Sequence, residues 1–237
     1  MPAPADVLSV LERNLQSVES RIQLACAQAG RLRNEVTLCA ITKYVDATTA
    51  GLLAELGVTD MGESRPQVLW EKAACLPQVR WHLAGHLQRN KVERTIKLAH
   101  LIHSVDSERL LLALEDEARR QDRIVPVLLE LHMTDEETKS GFTEDQWKSL
   151  PGLAVNFQRV HIQGLMGMAA LHSTPEQARQ VFARLRQLRD QWQHQFAPLH
   201  ELRELSMGMT NDFEQAILEG ATIVRIGSAL FEGMPRN

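Results

Sequence analysis

The feature that most constrains this chain is an alternation. Short apolar runs recur along its 237 residues, and a helical pattern follows most of them. The runs are 36–41, 59–61, 79–83, 101–105, 125–131, 161–165, 204–207 and 222–226. Between them, apolar spacing of three and four predicts helices over 47–56, 66–74, 107–121, 175–192 and 212–219. Strands that alternate with helices are joined by crossovers, so they run parallel in one sheet. Eight of them predict an α/β fold, a single (β/α)8 TIM barrel with residues 1–237 as one domain. A doubly wound open sheet is the alternative, and the second run, which has little apolar content of its own, is the weak point of the eight-strand count. Ahead of the first run, Val7, Leu8, Leu11, Leu15, Val18, Ile22, Leu24 and Ala25 mark one face of an extra N-terminal helix, which Gly30 closes.

Composition removes several classes of function. A formal net charge of −4 gives no basic footprint, so no nucleic-acid partner is expected. Cys26, Cys39 and Cys75 are scattered, with neither a CxxC pair nor a Cys/His cluster, so neither a disulfide frame nor a metal site is expected. No apolar stretch reaches the roughly 18 residues of a membrane span, and residues 1–16 lack the apolar run of a signal peptide. A cytoplasmic monomer with no membrane partner is the expectation.

Barrel chemistry sits where strands end and loops begin. Lys43 follows the first apolar run. A lysine partly desolvated at a strand end is a nucleophile for an aldehyde; a lysine that snorkels to solvent is the plainer reading. The eighth run carries Arg225 and then Gly227-Ser228 ahead of a short apolar helical turn. Backbone N–H groups at such a start form an anion cradle suited to phosphate, and a plain turn with an N-cap serine is the other reading. The loop Ser206-Met207-Gly208-Met209-Thr210-Asn211-Asp212 follows the seventh run and supplies either a second wall of that cradle or an ordinary cap. His82 and His86 are acid–base candidates in a chain with nine histidines. Glu63 and Arg65 suggest a local ion pair, and Lys139 a solvated loop lysine.

Taken in order, these segments resemble the pyridoxal phosphate homeostasis family, the YggS/PROSC-like group. The resemblance runs through Ala40-Ile41-Thr42-Lys43, Met61-Gly62-Glu63-Ser64-Arg65, the stretch Trp81 to Lys91, Ser104-Val105-Asp106, Thr138-Lys139-Ser140-Gly141, Gly164 to Met168, Leu205 to Asp212 and Val224 to Phe231. It implies a barrel of the alanine racemase N-terminal type that binds pyridoxal 5′-phosphate (PLP). By that match Lys43 carries PLP as a Schiff base. Ser206, Gly227 and Ser228 hold its phosphate, with Thr210 as an addition, and Arg225 faces the pyridine nitrogen. The implied role is intracellular PLP homeostasis, with apo PLP-dependent enzymes as recipients and no firm catalytic activity. The chain departs from the family pattern at Ser64, where asparagine is usual, and at Phe231-Glu232-Gly233, where Phe-Gly is usual.

The alternative is a PLP-dependent racemase of the same fold type. An arginine at the ring nitrogen weakens the electron sink. The related racemases take a second-face tyrosine from a further domain, and the chain ends soon after the eighth run. The one tyrosine, Tyr44, is expected to turn away from the interior if the strand extends that far. A Schiff-base aldolase using Lys43 directly is the third reading.

Overall fold

The computed structural model describes residues 4–134, 140–196 and 200–234. Helix α1 (Pro4–Gln28) precedes strand β1 (Thr37–Ile41). The chain then alternates through α2 (Ala47–Glu55), β2 (Asp60–Glu63), α3 (Pro66–Cys75), β3 (Arg80–Leu83), α4 (Val92–Leu98), β4 (Ala99–Val105), α5 (Glu108–Arg120) and β5 (Val125–Glu130). It continues through α6 (Glu144–Trp147), α7 (Leu150–Ala154), β6 (Val160–Met166), α8 (Pro175–Trp192), β7 (Glu204–Ser206), α9 (Phe213–Leu218) and β8 (Ile223–Ile226). All eight strands are parallel and close in sequence order, with Thr37 to Ala40 of β1 in register with Ile223 to Ile226 of β8. The open-sheet alternative is therefore excluded.

The weak second run is a strand because its small residue is needed there. A Cβ on Gly62 would lie 2.6 Å from Ile41 Cδ1 and 3.0 Å from Cys39 Sγ. Glycine lets β2 pair between β1 and β3 where the interior is already full. Local caps set the helices. Asp46 accepts from the Thr49 N–H at the start of α2, and Thr174 with Gln177 forms a capping box ahead of Pro175 in α8.

Helix α1 packs Leu11, Val18, Ile22 and Ala25 against the body, and Asn14 Nδ2 donates to the carbonyls of Leu230 and Glu232. Gly30, at φ +67°, ends it. Leu24 does not belong to the buried face; it is 63% exposed, because the helical rotation from Ile22 and Cys26 carries it outward.

Among the described residues, apolar side chains form two cores. The larger lies between barrel and helices. The smaller joins Cys39, Leu101, Leu128, Met166 and Ile223 from five strands, with Ile41 and Met168 packed on it. Alternation along the strands turns these toward the barrel axis. The same interior holds His82, His103, Ser206 and Arg225, all buried. A barrel interior is ordinarily filled with branched apolar side chains, so these four polar groups call for a reason.

Candidate functional site

At the C-terminal end of the strands lies a cavity of about 320 Å³. Its wall includes Lys43, Tyr44, Glu63, Ser64, Met168, Met209, Thr210, Asp212, Arg225, Gly227 and Ser228. Five of the six residues singled out in the sequence thus share one cavity, although they come from opposite ends of the chain. The closed seam between β1 and β8 brings them together.

Lys43 stands in the turn after β1, beyond the last paired residue. Its side chain is exposed, so the desolvation expected of it is not found. What holds it is its neighbour. Thr42 is fully buried; its N–H donates to Gly62 O at 2.9 Å, and its hydroxyl donates to Glu63 Oε1 at 2.6 Å. Its carbonyl accepts from Lys72 Nζ at 2.8 Å. Lys72 also pairs with Glu63 Oε1 at 2.5 Å, so Glu63 is matched by a lysine of α3 rather than by the Arg65 that the sequence suggested. The lysine thus projects from a rigid stem. Glu63 Oε2 is buried with no hydrogen-bond partner among the described residues, an acceptor held at the cavity wall.

Tyr44 also lines the cavity, with Lys43 Nζ 4.9 Å from its ring centroid. The expectation that it turns away fails because β1 stops at Ile41, and the period of two does not continue through the turn.

The loops after β7 and β8 meet: the Ala229 N–H donates to Thr210 Oγ1 at 3.4 Å. Residues 228–230 form a turn, not the start of a helix, with the Leu230 N–H bonded to Gly227 O at 3.0 Å. Among the described residues neither the Gly227 nor the Ser228 N–H has an acceptor. A Cβ on Gly227 would approach Ile41 O to 3.2 Å and Ile41 Cβ to 3.4 Å. Nearby, Asp212 caps the loop by accepting from the Met209 N–H at 2.6 Å; burial pushes its carboxyl above the ordinary range.

Ser206 is not on the cavity wall. It is fully buried inside the barrel, its oxygen 2.5 Å from Arg225 Nη1 and 2.8 Å from His103 Nδ1. Arg225 reaches from this interior to the cavity and also donates through Nη2 to Gly167 O at 3.3 Å. Burial pushes its pKa down from that of a free arginine, with Cys39, Glu130 and Asp212 opposing the shift. His82 lies deeper, bonded to Asp60 and His103, whereas His86 pairs with Asp106 at 2.9 Å and is exposed. Lys139 falls outside the described residues. Pattern reading did not single out His103 or Lys72. His103 sits in an apolar run and Lys72 on a helix face, and only the fold reveals their partners.

The family model described as the alanine racemase N-terminal domain matches residues 13–235. The pyridoxal phosphate homeostasis protein of Aquifex aeolicus is 37% identical over 219 residues, 92% of this chain and 95% of that protein. The chain belongs to the pyridoxal phosphate homeostasis family. Another relative of that name, from Escherichia coli, is 29% identical over 93% of this chain and 95% of its own length. Among solved structures, PipY of Synechococcus elongatus with PLP bound superposes with a TM-score of 0.82 at 33% identity, covering 93% of this chain and 99% of PipY. Alanine racemase of Clostridium difficile superposes with a TM-score of 0.74 at 15% identity, over 96% of this chain and 57% of the racemase. That likeness is one of fold alone.

Proposed function

We propose that this homeostasis-family chain, residues 1–237 acting as one unit, binds PLP, is linked to it through Lys43 and serves to hold the cofactor and hand it on inside the cell. The carrying observation is the single cavity that joins Lys43 to the Gly227–Ser228 turn and Arg225. PipY, solved with PLP bound, supports the reading as a relative.

The donor set fits the cofactor. Among the described residues the N–H groups of Gly227 and Ser228 have no acceptor, and with the hydroxyls of Ser228 and Thr210 they suit a phosphate dianion. A side chain at Gly227 would crowd Ile41 and displace the turn that presents these groups. Arg225 would face the ring nitrogen. Ser206 is reassigned: its hydroxyl is committed to Arg225 and His103, so it acts through Arg225 rather than on the phosphate. When bound, PLP supplies an aldehyde for the lysine amine and a ring that withdraws electrons from whatever is attached there. Arginine can only donate, so Arg225 leaves the ring nitrogen unprotonated and the electron withdrawal weak. That favours storage over carbanion chemistry.

One observation favours the racemase reading, namely that Tyr44 lines the same cavity as Lys43. Racemisation needs proton carriers on opposite faces of the substrate, however, and the Lys43 amine lies against the Tyr44 ring. Incubation of PLP-loaded protein with L-alanine in deuterated water discriminates. The proposal expects no exchange at Cα and expects the loaded protein to restore activity to an apo PLP-dependent enzyme. Exchange with D-alanine formation at about 1 s⁻¹ or faster would establish a racemase. A cytoplasmic monomer completes the proposal. No helix among the described residues is long and apolar enough to cross a membrane. Light scattering should give the mass of one chain, 26.7 kDa.

A further inference from the structure

A chain of hydrogen bonds crosses the barrel interior from the cavity to the opposite end. It starts at Arg225 of β8, whose Nη1 donates to Ser206 Oγ of β7 at 2.5 Å. Ser206 Oγ lies 2.8 Å from His103 Nδ1 of β4, and His103 Nε2 lies 2.8 Å from His82 Nδ1 of β3. His82 Nε2 lies 3.0 Å from Asp60 Oδ1 of β2. Asp60 is held from outside by Arg80, whose side chain is 53% exposed, and by the Thr59 hydroxyl. The five linked residues are each no more than 5% exposed.

The two ends fix the direction of every link. Arginine only donates, and an ionised carboxylate only accepts. Burial opposes ionisation of Asp60, but His82, Arg80 and Thr59 together hold its carboxyl well below the usual range. Ser206 accepts from Arg225, so its own proton goes to His103 Nδ1. His103 then carries its proton on Nε2 and donates to His82 Nδ1. His82 carries its proton on Nε2 and donates to Asp60. With both rings neutral, each link has one donor and one acceptor. Burial above all, with the Arg225 charge nearby, pushes His103 well below the ordinary histidine range, in keeping with a neutral ring there.

We propose that His103 and Ser206 are positioning residues whose proton order locks Arg225 as a fixed donor toward the PLP ring. The proposal rests on the PLP reading of the cavity. The anchored guanidinium spends one N–H on Ser206 and one on Gly167 O, so three of its five are not used by these two bonds, and the residue lines the cavity. The alternative order needs one more proton, on His82. His103 would then donate from Nδ1 to Ser206, and the serine hydroxyl would lose this acceptor while still receiving from Arg225. The other ionisable groups facing the chain are His100 near His82, with ring centroids 5.7 Å apart, and Cys39, Glu130 and Asp212 around Arg225.

The test has a cofactor-free arm and a cofactor arm. Nitrogen-15 NMR of the PLP-free protein should show His103 neutral with its proton on Nε2 at neutral pH. A proton on Nδ1 at neutral pH would overturn the order. In the second arm, His103→Leu should weaken PLP about tenfold and change the pH response of the bound cofactor's absorption. His103→Gln, whose amide both accepts and donates, should stay within about threefold of the wild type. A His103→Leu protein with unchanged affinity and pH response would overturn the positioning role. If that variant does not fold, Ser206→Ala takes its place with the same expectation and the same overturning result. Wild-type protein that binds no PLP would defeat the reading of the cavity, while the NMR arm would still decide the proton order.

Discussion

At Gly227 the proposed phosphate site depends on the absence of a side chain. A new Cβ would meet Ile41 O at 3.2 Å and Ile41 Cβ at 3.4 Å, so a branched side chain there would push against β1 and displace the turn that bears the Gly227 and Ser228 N–H groups. Gly227→Val should therefore weaken PLP by at least about tenfold, read by titration of its absorbance. Ser228→Ala removes one exposed hydroxyl and leaves the N–H groups, so it should cost no more than about threefold. Equal affinity in both variants would place the phosphate elsewhere. That Lys43, Thr210, Arg225, Gly227 and Ser228 line one cavity was legible because each stands at or just after the end of a strand, in a motif with its own chemistry. Ser206 was legible as a residue near the site, but its place inside the barrel, bonded to Arg225 and His103, was not. Its partner His103 is 103 positions away in sequence and lies within an apolar run, where a histidine gives no local signal. The exposure of Lys43 was also not legible, since it depends on where the strand stops.

Helix α5 shows how one side chain can fix an element. Glu115 is buried and accepts from the backbone N–H groups of Gln158, Arg159 and Val160 at 3.1, 2.9 and 2.9 Å. Arg119 Nε adds a fourth donor at 2.7 Å. The carboxylate thereby ties α5 to the start of β6. Glu115→Gln would face those donors with an NH₂ and should lower stability by about 2 kcal/mol in denaturant melts at neutral pH. Burial opposes ionisation of Glu115, but these hydrogen bonds outweigh it and hold the pKa below the ordinary value. A depressed folded pKa stabilises above the unfolded value of about 4.3 and loses that stability as pH falls through the folded one. The gap between wild type and variant should therefore narrow in acid, and a gap that widened would contradict the account. The strands were legible to within about two residues at most ends because parallel barrel strands are apolar on both faces. Helix α4 was not, since Val92 and Ile96 are the only strongly apolar residues in its first turns. Helices α6 and α7 are too short, at 4 and 5 residues, to show a period.

Closure of the whole barrel rests on its shortest strand. β7 has three residues and meets β8 at one register pair, Ser206 with Ile223. On its other side it packs so tightly that a Cβ on Gly164 would lie 1.9 Å from Glu204 O, a backbone atom that cannot step aside cheaply. Gly164→Ala should cost about 3 kcal/mol and speed hydrogen exchange along β6 and β7 before the other strands. Barrel closure was legible as a count of eight alternating units, but this seam was not, because a glycine in a strand does not announce what stands against it. Closure is also what brings Lys43, near one end of the chain, to Arg225 and Gly227 near the other, and on that meeting the functional account depends. Borohydride reduction of the protein with PLP, followed by peptide mass mapping, tests it most directly. The account predicts a phosphopyridoxyl group on Lys43 and an absorption band at about 420 nm that Lys43→Ala abolishes. A label confined to Lys72, Lys139 or another lysine, or a band that survives in Lys43→Ala, would contradict it.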